Sequence, residues 1–357
     1  MQRSLNLTLF TALLISLVTL AFAEEQQTAK DVQEFLKPFA GFWMNTGESA
    51  GEVVEGIWTV KPSPMAPCFL TYGSNTADGQ FQSLDGYDPV AEKWTAARFR
   101  SGGDFRLIRY EVEAQAGGRY GQGTSTPIES TSQEDDGTKT IRKSIMTCLE
   151  CNDQGMVLKF SGRTENGESR PDSKLTMKRL DKQPRMPESP APDVNDAQQE
   201  AAKNYIDFFE PFVGDWKIKL ESGGEVVEGT WSGHLSPTKV CYISQDTAAG
   251  QPSSQGIHGY DAGTNRWTVA SFNSDGGFSL ARLDFGEIRA GDRFKRGTSG
   301  DSAKVISHND GTTTKVTCKF VCKECSKDEI VYVLFDQKED GESKPDQTFR
   351  MERQVKP

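Results

Sequence analysis

Histidine is nearly missing from this chain. Three occur in 357 residues, His234, His258 and His308, all in the second half. A haem ligand or general base shared by both halves therefore cannot be a histidine, and surface positions are the expectation for all three. Other signatures are missing as well: there is no Gly-x-Ser-x-Gly nucleophile elbow, no phosphate-binding loop and no His-Glu-x-x-His. No cofactor is expected. Positive charge is in deficit, with 41 Lys and Arg against 51 Asp and Glu, a net charge of −10. Such a surface repels a phosphate backbone and excludes nucleic acid as the expected partner. No long block of like charge suggests a tail. After residue 23 no stretch is apolar enough to span a bilayer, which takes about 20 residues.

What is present begins at the N-terminus. Arg3 precedes an apolar run from Leu9 to Ala23 that ends in Ala21-Phe22-Ala23, with Glu24 and Glu25 next. This is the pattern of a secretory signal peptide over residues 1–23. It predicts an exported protein, periplasmic or extracellular, with no membrane span after cleavage. Apolar residues make up only 35% of the chain, while Gly (34) and Phe (20) are plentiful. Many short strands joined by glycine turns produce that balance.

The strongest signal is a duplication. Pro38-Phe39-Ala40-Gly41-Phe42-Trp43 recurs as Pro211-Phe212-Val213-Gly214-Asp215-Trp216, and Gly51 to Gly56 recurs as Gly224 to Gly229. Trp58, Cys68, Gly86-Tyr87-Asp88 and Trp94 recur at the same offset of 173 as Trp231, Cys241, Gly259-Tyr260-Asp261 and Trp267. One inserted residue then moves the offset to 174 for Asp136-Gly137, Cys148-x-x-Cys151 and Gly167-Glu168-Ser169. A repeat this long is a whole domain rather than a solenoid unit. The expected domains are residues 30–180 and 196–354. Between them, 181–195 is a proline-rich linker carrying Pro184, Pro187, Pro190 and Pro192, which predicts two halves that fold independently.

Within each copy a short helix (Lys30 to Leu36; Ala197 to Phe208) stops before a proline. Strands are predicted at Val53 to Val60, Cys68 to Tyr72, Trp94 to Phe99, Phe105 to Tyr110, Lys139 to Thr147, Met156 to Gly162 and Leu175 to Arg179, with counterparts in copy two. In the first of these, Val54, Gly56, Trp58 and Val60 share one face by the period of two, and the tryptophan face is the candidate interior. The predicted fold class is all-β: two tandem antiparallel units, each a closed barrel or a sandwich.

An opening Pro-Phe-x-Gly-x-Trp after a short helix resembles the calycin superfamily of lipocalin-like barrels. A more particular series resembles the bacterial family DUF1579. Its carriers are Gly86, Tyr87, Asp88, Pro89, Trp94, Phe99, Ser101, Gly103, Gly167, Glu168, Ser169, Pro171, Asp172, Met177 and Arg179. Copy two repeats them except at Ala262, where the proline is missing. The resemblance implies calycin-like barrels with an internal cavity, a first tryptophan that plugs the closed end, and no established activity.

The candidate site residues are the repeated aromatics Trp58, Tyr87, Trp94, Phe99, Trp231, Tyr260, Trp267 and Phe272, which suit a cavity for a small apolar molecule and equally a filled core. Cys148, Cys151, Cys322 and Cys325 are disulfide or thiol candidates, set at a hairpin turn in each copy; no metal site is expected, since each pair lacks two further ligands. Among the repeated carboxylates, Glu55 faces solvent and Asp88 suits a turn; Arg179 and Arg353 are candidates to pair with one of these acids. No catalytic residue is assigned. The leading expectation is a non-catalytic binding module for a small apolar or amphipathic molecule. The alternatives are a structural or interaction protein of the cell envelope with filled barrels, and a carboxylate-based enzyme.

Overall fold

The computed structural model describes residues 29–76, 79–112, 118–133, 138–185 and 196–354. The expected signal peptide and residues 186–195 of the expected linker lie outside the described residues. No described helix is long and apolar enough to cross a membrane.

The first copy opens with a helix, α1 (29–36). Its strands are β1 (Gly41–Ser49), β2 (Glu52–Pro62), β3 (Cys68–Asn75), β4 (Gly79–Asp88), β5 (Lys93–Arg100), β6 (Phe105–Tyr110), β7 (Ser125–Gln133), β8 (Lys139–Asn152), β9 (Gly155–Glu165), β10 (Glu168–Ser169) and β11 (Ser173–Leu180). The second opens with α2 (Asp196–Phe208). It continues with β12 (Gly214–Ser222), β13 (Glu225–Leu235), β14 (Tyr242–Ala248), β15 (Gln251–Asp261), β16 (Arg266–Asn273), β17 (Phe278–Asp284), β18 (Ser299–Ser307), β19 (Thr313–Cys325), β20 (Glu329–Glu339), β21 (Glu342–Ser343) and β22 (Gln347–Arg353).

Consecutive strands pair antiparallel from β1 to β9, β9 pairs with β11, and β11 returns to β1. Ten strands thus close into a barrel, with β10 as a short addition on β9. The second copy closes the same way through β19–β20, β20–β22 and β22–β12. Closure removes the edges that an open sheet would expose. About eight strands give an interior that side chains just fill, so ten leave room.

Besides the two-residue β10 and β21, three strands per copy were not predicted: β1, β4 and β7, with β12, β15 and β18. The reason at β4 is burial of both faces. Phe81, Gln82, Ser83 and Leu84 are all buried in succession, so no alternation of polar and apolar residues marks the strand. In β2 the alternation is visible, and the predicted face is the interior one: Val53 and Glu55 are exposed while Trp58 and Val60 turn inward.

The Pro-Phe-x-Gly-x-Trp motif builds the plug of each barrel. Trp43 is fully buried and its indole Nε1 donates to Phe39 O at 2.7 Å; Trp216 does the same to Phe212 O at 2.9 Å. Arg179 lies over the Trp43 ring with its Cζ 4.2 Å from the centroid, and Arg353 over Trp216 at 4.1 Å. The guanidinium of Arg179 donates to Ala40 O and Pro38 O, each at 2.8 Å. These arginines therefore bond the turn before the first strand, not the acids they were matched with. The glycine of the motif is required twice over. Gly41 has φ +141°, and a Cβ there would sit 2.4 Å from the Arg179 guanidinium. Gly214 repeats this against Arg353.

The two barrels are joined by a shared core rather than separated. One apolar cluster draws Cys68, Leu84, Ala97, Phe99 and Phe105 from the first copy and Cys241, Ile257, Ala270, Phe272 and Phe278 from the second. Each is the repeat partner of the other, so the joint is a pseudo-two-fold. Its reciprocity is explicit: a Cβ on Gly86 would lie 2.7 Å from the Phe272 ring, and one on Gly259 2.7 Å from the Phe99 ring. Glycine is needed there because a phenylalanine of the other barrel lies directly on the backbone. Burying one phenylalanine side chain contributes about 1.5–3 kcal/mol. Hydrogen bonds cross the joint from Ser63 Oγ to Gln255 Oε1 (3.1 Å), from Ser253 Oγ to Met65 O (3.0 Å) and from Ala262 N to Gly103 O (2.8 Å). The last explains why copy two lacks the motif proline: Pro89, at the aligned position, has no N–H to donate.

Candidate functional site

Each barrel encloses a cavity, roofed by its opening helix and by the connection after its sixth barrel strand. Tyr120 N donates to Phe35 O at 2.8 Å and Phe294 N to Phe208 O at 2.9 Å, tying connection to helix in both copies. Phe39 and Tyr120 close the first cavity; Phe209, Phe212 and Phe294 close the second.

The first cavity measures about 300 Å³. Its walls carry Trp58, Phe69, Trp94 and Phe160, and its polar groups include Asp85, Arg98 and Tyr110. Asp85 on β4 accepts from Thr71 Oγ1 at 2.5 Å and from Ser83 Oγ. Burial pushes its carboxyl above the usual range, while the nearby Arg98 charge pulls it back. Ser83 faces Arg98 across β4–β5, so Asp85 and Arg98 are diagonal neighbours on adjacent strands. The Arg98 guanidinium rests on the Phe81 ring, 4.5 Å from its centroid. Burial pushes the Tyr110 phenol up to about 12.

The second cavity is larger, about 440 Å³, with Trp231, Trp267, Phe285 and Phe320 among its walls. Its ionisable groups are different ones. His258 stands where Asp85 stands in copy one, and its Nε2 lies 2.6 Å from Ser244 Oγ. Enclosure by apolar walls lowers its pKa from 6.5 to about 4, so it is neutral at pH 7. Asp246 on β14 is the cavity's carboxylate and accepts from Ser254 Oγ. Lys304 on β18 is its cation. The two strands lie four apart around a ten-stranded wall, so the charges stand on nearly opposite sides. Burial depresses the Lys304 pKa and the field of Asp246 raises it.

Of the expected aromatics, Trp58 and Trp94 line the first cavity and Trp231 and Trp267 the second. Tyr87 packs against the first core from its margin. Tyr260 stacks on Tyr205 of α2, ring centroids 4.6 Å apart. Phe99 and Phe272 are corrected: both sit in the joint between the barrels, on the opposite strand face. The histidine expectation is corrected at His258, which borders a cavity instead of the surface.

The cysteine pairs lie on one side of their hairpin turns, at the ends of β8 and β19 just before the chain turns into β9 and β20. The register of β8 on β9 slips between Cys148 and Glu150, and that of β19 on β20 between Cys322 and Glu324. Residues three apart on a regular strand face opposite ways; the extra bulge residue brings them to one side. Cys148 and Cys151 form a disulfide with Cα atoms 6.5 Å apart. Cys322 and Cys325 are thiols, donating to Glu324 O and Phe294 O at 3.0 and 3.1 Å. Cys68 and Cys241 lie in the joint, far from these pairs in the sheet. Among the described residues no group of three or more His, Cys, Asp and Glu is placed to hold a metal.

None of the repeated carboxylates lines either cavity. Glu55, Glu168 and Asp172 are exposed. Asp88 is buried and accepts from Val90 N and Ala91 N at 3.2 and 3.3 Å, the turn role expected of it. The cavity's polar residues Asp85, Arg98, Asp246 and Lys304 were missed because none of them repeats between the copies. The signal that marks them is strand parity: Asp85 falls in step with Tyr87, and Arg98 with Trp94, on inward faces.

No family model and no curated protein matches the sequence. Among solved structures the chain is similar to a protein of unknown function from the DUF3598 family of Nostoc punctiforme. The two share 9% identity and a TM-score of 0.20 over 90% of this chain and 98% of that one. The resemblance to DUF1579 is therefore overturned. No model of that family or of any other matches the sequence. The physical reason is that its short motifs mark needs common to antiparallel barrels: a turn at Asp88, a tight turn at Gly167 with φ +86°, and a plugged end. At this level of similarity nothing about the neighbour's chemistry transfers to this chain.

Proposed function

We propose that this chain is an exported binding protein that holds a small apolar or amphipathic molecule in its barrels and performs no chemistry on it. One observation carries the proposal: each copy of the repeat encloses an aromatic-walled void, about 300 and 440 Å³, within the size range of small-molecule sites. Voids of this size weigh against the alternative of barrels filled by their own side chains, since packed interiors leave few gaps larger than a water molecule. The repeated acids lend no support to a carboxylate-based enzyme, because they face solvent or cap turns. The test uses protein unfolded and refolded to strip any carried ligand, titrated with the fluorescent apolar probe N-phenyl-1-naphthylamine. Saturable binding is expected, with Trp58→Leu and Trp231→Leu each altering one class of site. Absence of saturable binding by the folded protein would end the proposal.

A further inference from the structure

The second cavity contains an unmet charge. Lys304 lines it, half-buried, and its ammonium makes no hydrogen bond and no ion pair among the described residues. Asp246 does not satisfy it: it is engaged by Ser254 on β15, and the two form no ion pair. The other titratable groups on the cavity wall are Tyr242, His258, Cys318 and Tyr332. His258 is neutral, and burial raises Tyr242 and Tyr332, so those three carry no charge at neutral pH. Among the described residues Lys304 is thus the one cation lining this cavity, whose walls include Trp231, Trp267 and Phe320.

An ammonium held in an apolar site without a partner is costly, and burial lowers the Lys304 pKa. A bound anion removes both penalties. It supplies the missing acceptor as a charge-assisted hydrogen bond, and the apolar walls take the rest of the molecule. The aligned residue in the first copy is Ser130, so this site belongs to the second barrel alone. The first barrel's cation, Arg98, comes from another strand and already lies on Phe81 beside Asp85.

We infer that the second barrel selects amphiphiles by an anionic head group, a carboxylate on an apolar body, seated on Lys304 with the body against Trp231 and Trp267. This rests on the binding reading above and names the ligand class of one of its two cavities.

The experiment titrates the full chain, below the micelle concentration, with dodecanoate, dodecanol and dodecylammonium, followed by tryptophan fluorescence and calorimetry. Dodecanoate is expected to bind on the order of tenfold more tightly than dodecanol, the size of one charged hydrogen bond. Lys304→Met should abolish that preference while leaving dodecanol affinity unchanged, and the exposed Lys327→Met should leave it intact. Because Lys304→Met deletes an unpaired charge, it should also raise the melting temperature of the ligand-free protein, which confirms folding of the variant. Equal affinity for dodecanoate and dodecanol overturns the head-group inference but leaves the binding reading standing, as does an unchanged preference in Lys304→Met. Tightest binding of dodecylammonium overturns it in favour of Asp246. Failure of all three to bind overturns the binding reading itself.

Discussion

The two barrels share a scaffold and differ in what it encloses. Plug and joint repeat their key residues: Trp43 with Trp216, Arg179 with Arg353, Gly86 with Gly259, Phe99 with Phe272. The polar residues of the cavities do not repeat. Asp85 becomes His258, Arg98 becomes Ser271, and Ser130 becomes Lys304. In the first barrel, acid and base are neighbours on adjacent strands; in the second they stand across the void. The teaching is that duplication preserved what closes a barrel and released what lines it. Inward positions away from the plug border a void, so exchanging them leaves the sheet's hydrogen bonds and the joint untouched.

The comparison can be broken most decisively at the plugs. Trp43→Ala and Trp216→Ala should each cost about 3–5 kcal/mol. Because one cluster joins the barrels, guanidinium unfolding followed by fluorescence and circular dichroism should show one coincident transition in each variant. Two separate transitions, with only the altered barrel shifted, would mean that the joint does not couple them.

Acid should separate the barrels next. His258 has its folded pKa depressed from 6.5 to about 4, so the unfolded chain binds its proton first. The stability it contributes is complete above about pH 6.5 and is lost as pH falls toward 4, by at most about 3 kcal/mol. Asp85 and Asp261, raised by burial, act in the opposite direction, since the folded state binds their protons more readily. His258→Asn should flatten the loss of stability between pH 6.5 and 4 in urea titrations. An unaltered pH profile would show that the imidazole is hydrated in the cavity.

At the joint the two halves should respond alike. Gly86→Ala and Gly259→Ala each force a methyl onto a phenylalanine of the other barrel, at about 1–3 kcal/mol. Unequal costs would show that the pseudo-two-fold is only approximate in energy. The smallest effect is expected from Ala262→Pro, which gives copy two the motif of copy one but removes the bond to Gly103 O. A loss of about 1 kcal/mol is expected in the same urea titration, and no change would mean that this bond is exchanged freely for water.

Strand parity explains how far the site could be read in advance. Trp58, Trp94, Trp231 and Trp267 were legible because large aromatics repeat at one offset and fall on inward faces. Phe99 lies five residues from Trp94 on one strand, so the period of two places them on opposite faces. Repetition alone could not separate a cavity wall from a joint, since both conserve large apolar groups between the copies. The disulfide pair was legible as a spacing, but the bulge that turns both sulfurs to one side depends on pairing with β9.

The order of residues by itself determined that a barrel-sized unit was copied, that its strands alternate inward and outward, and that tryptophan opens each copy. Those are local matters, set by turn residues, periodicity and the offset between repeats. Only the tertiary structure decided that the outward face of β4 and β5 is a second interior, and that Asp246 and Lys304 oppose each other across a void. Closing a sheet of ten strands brings together residues distant in the chain, and packing two such sheets buries faces that strand pattern alone assigns to water.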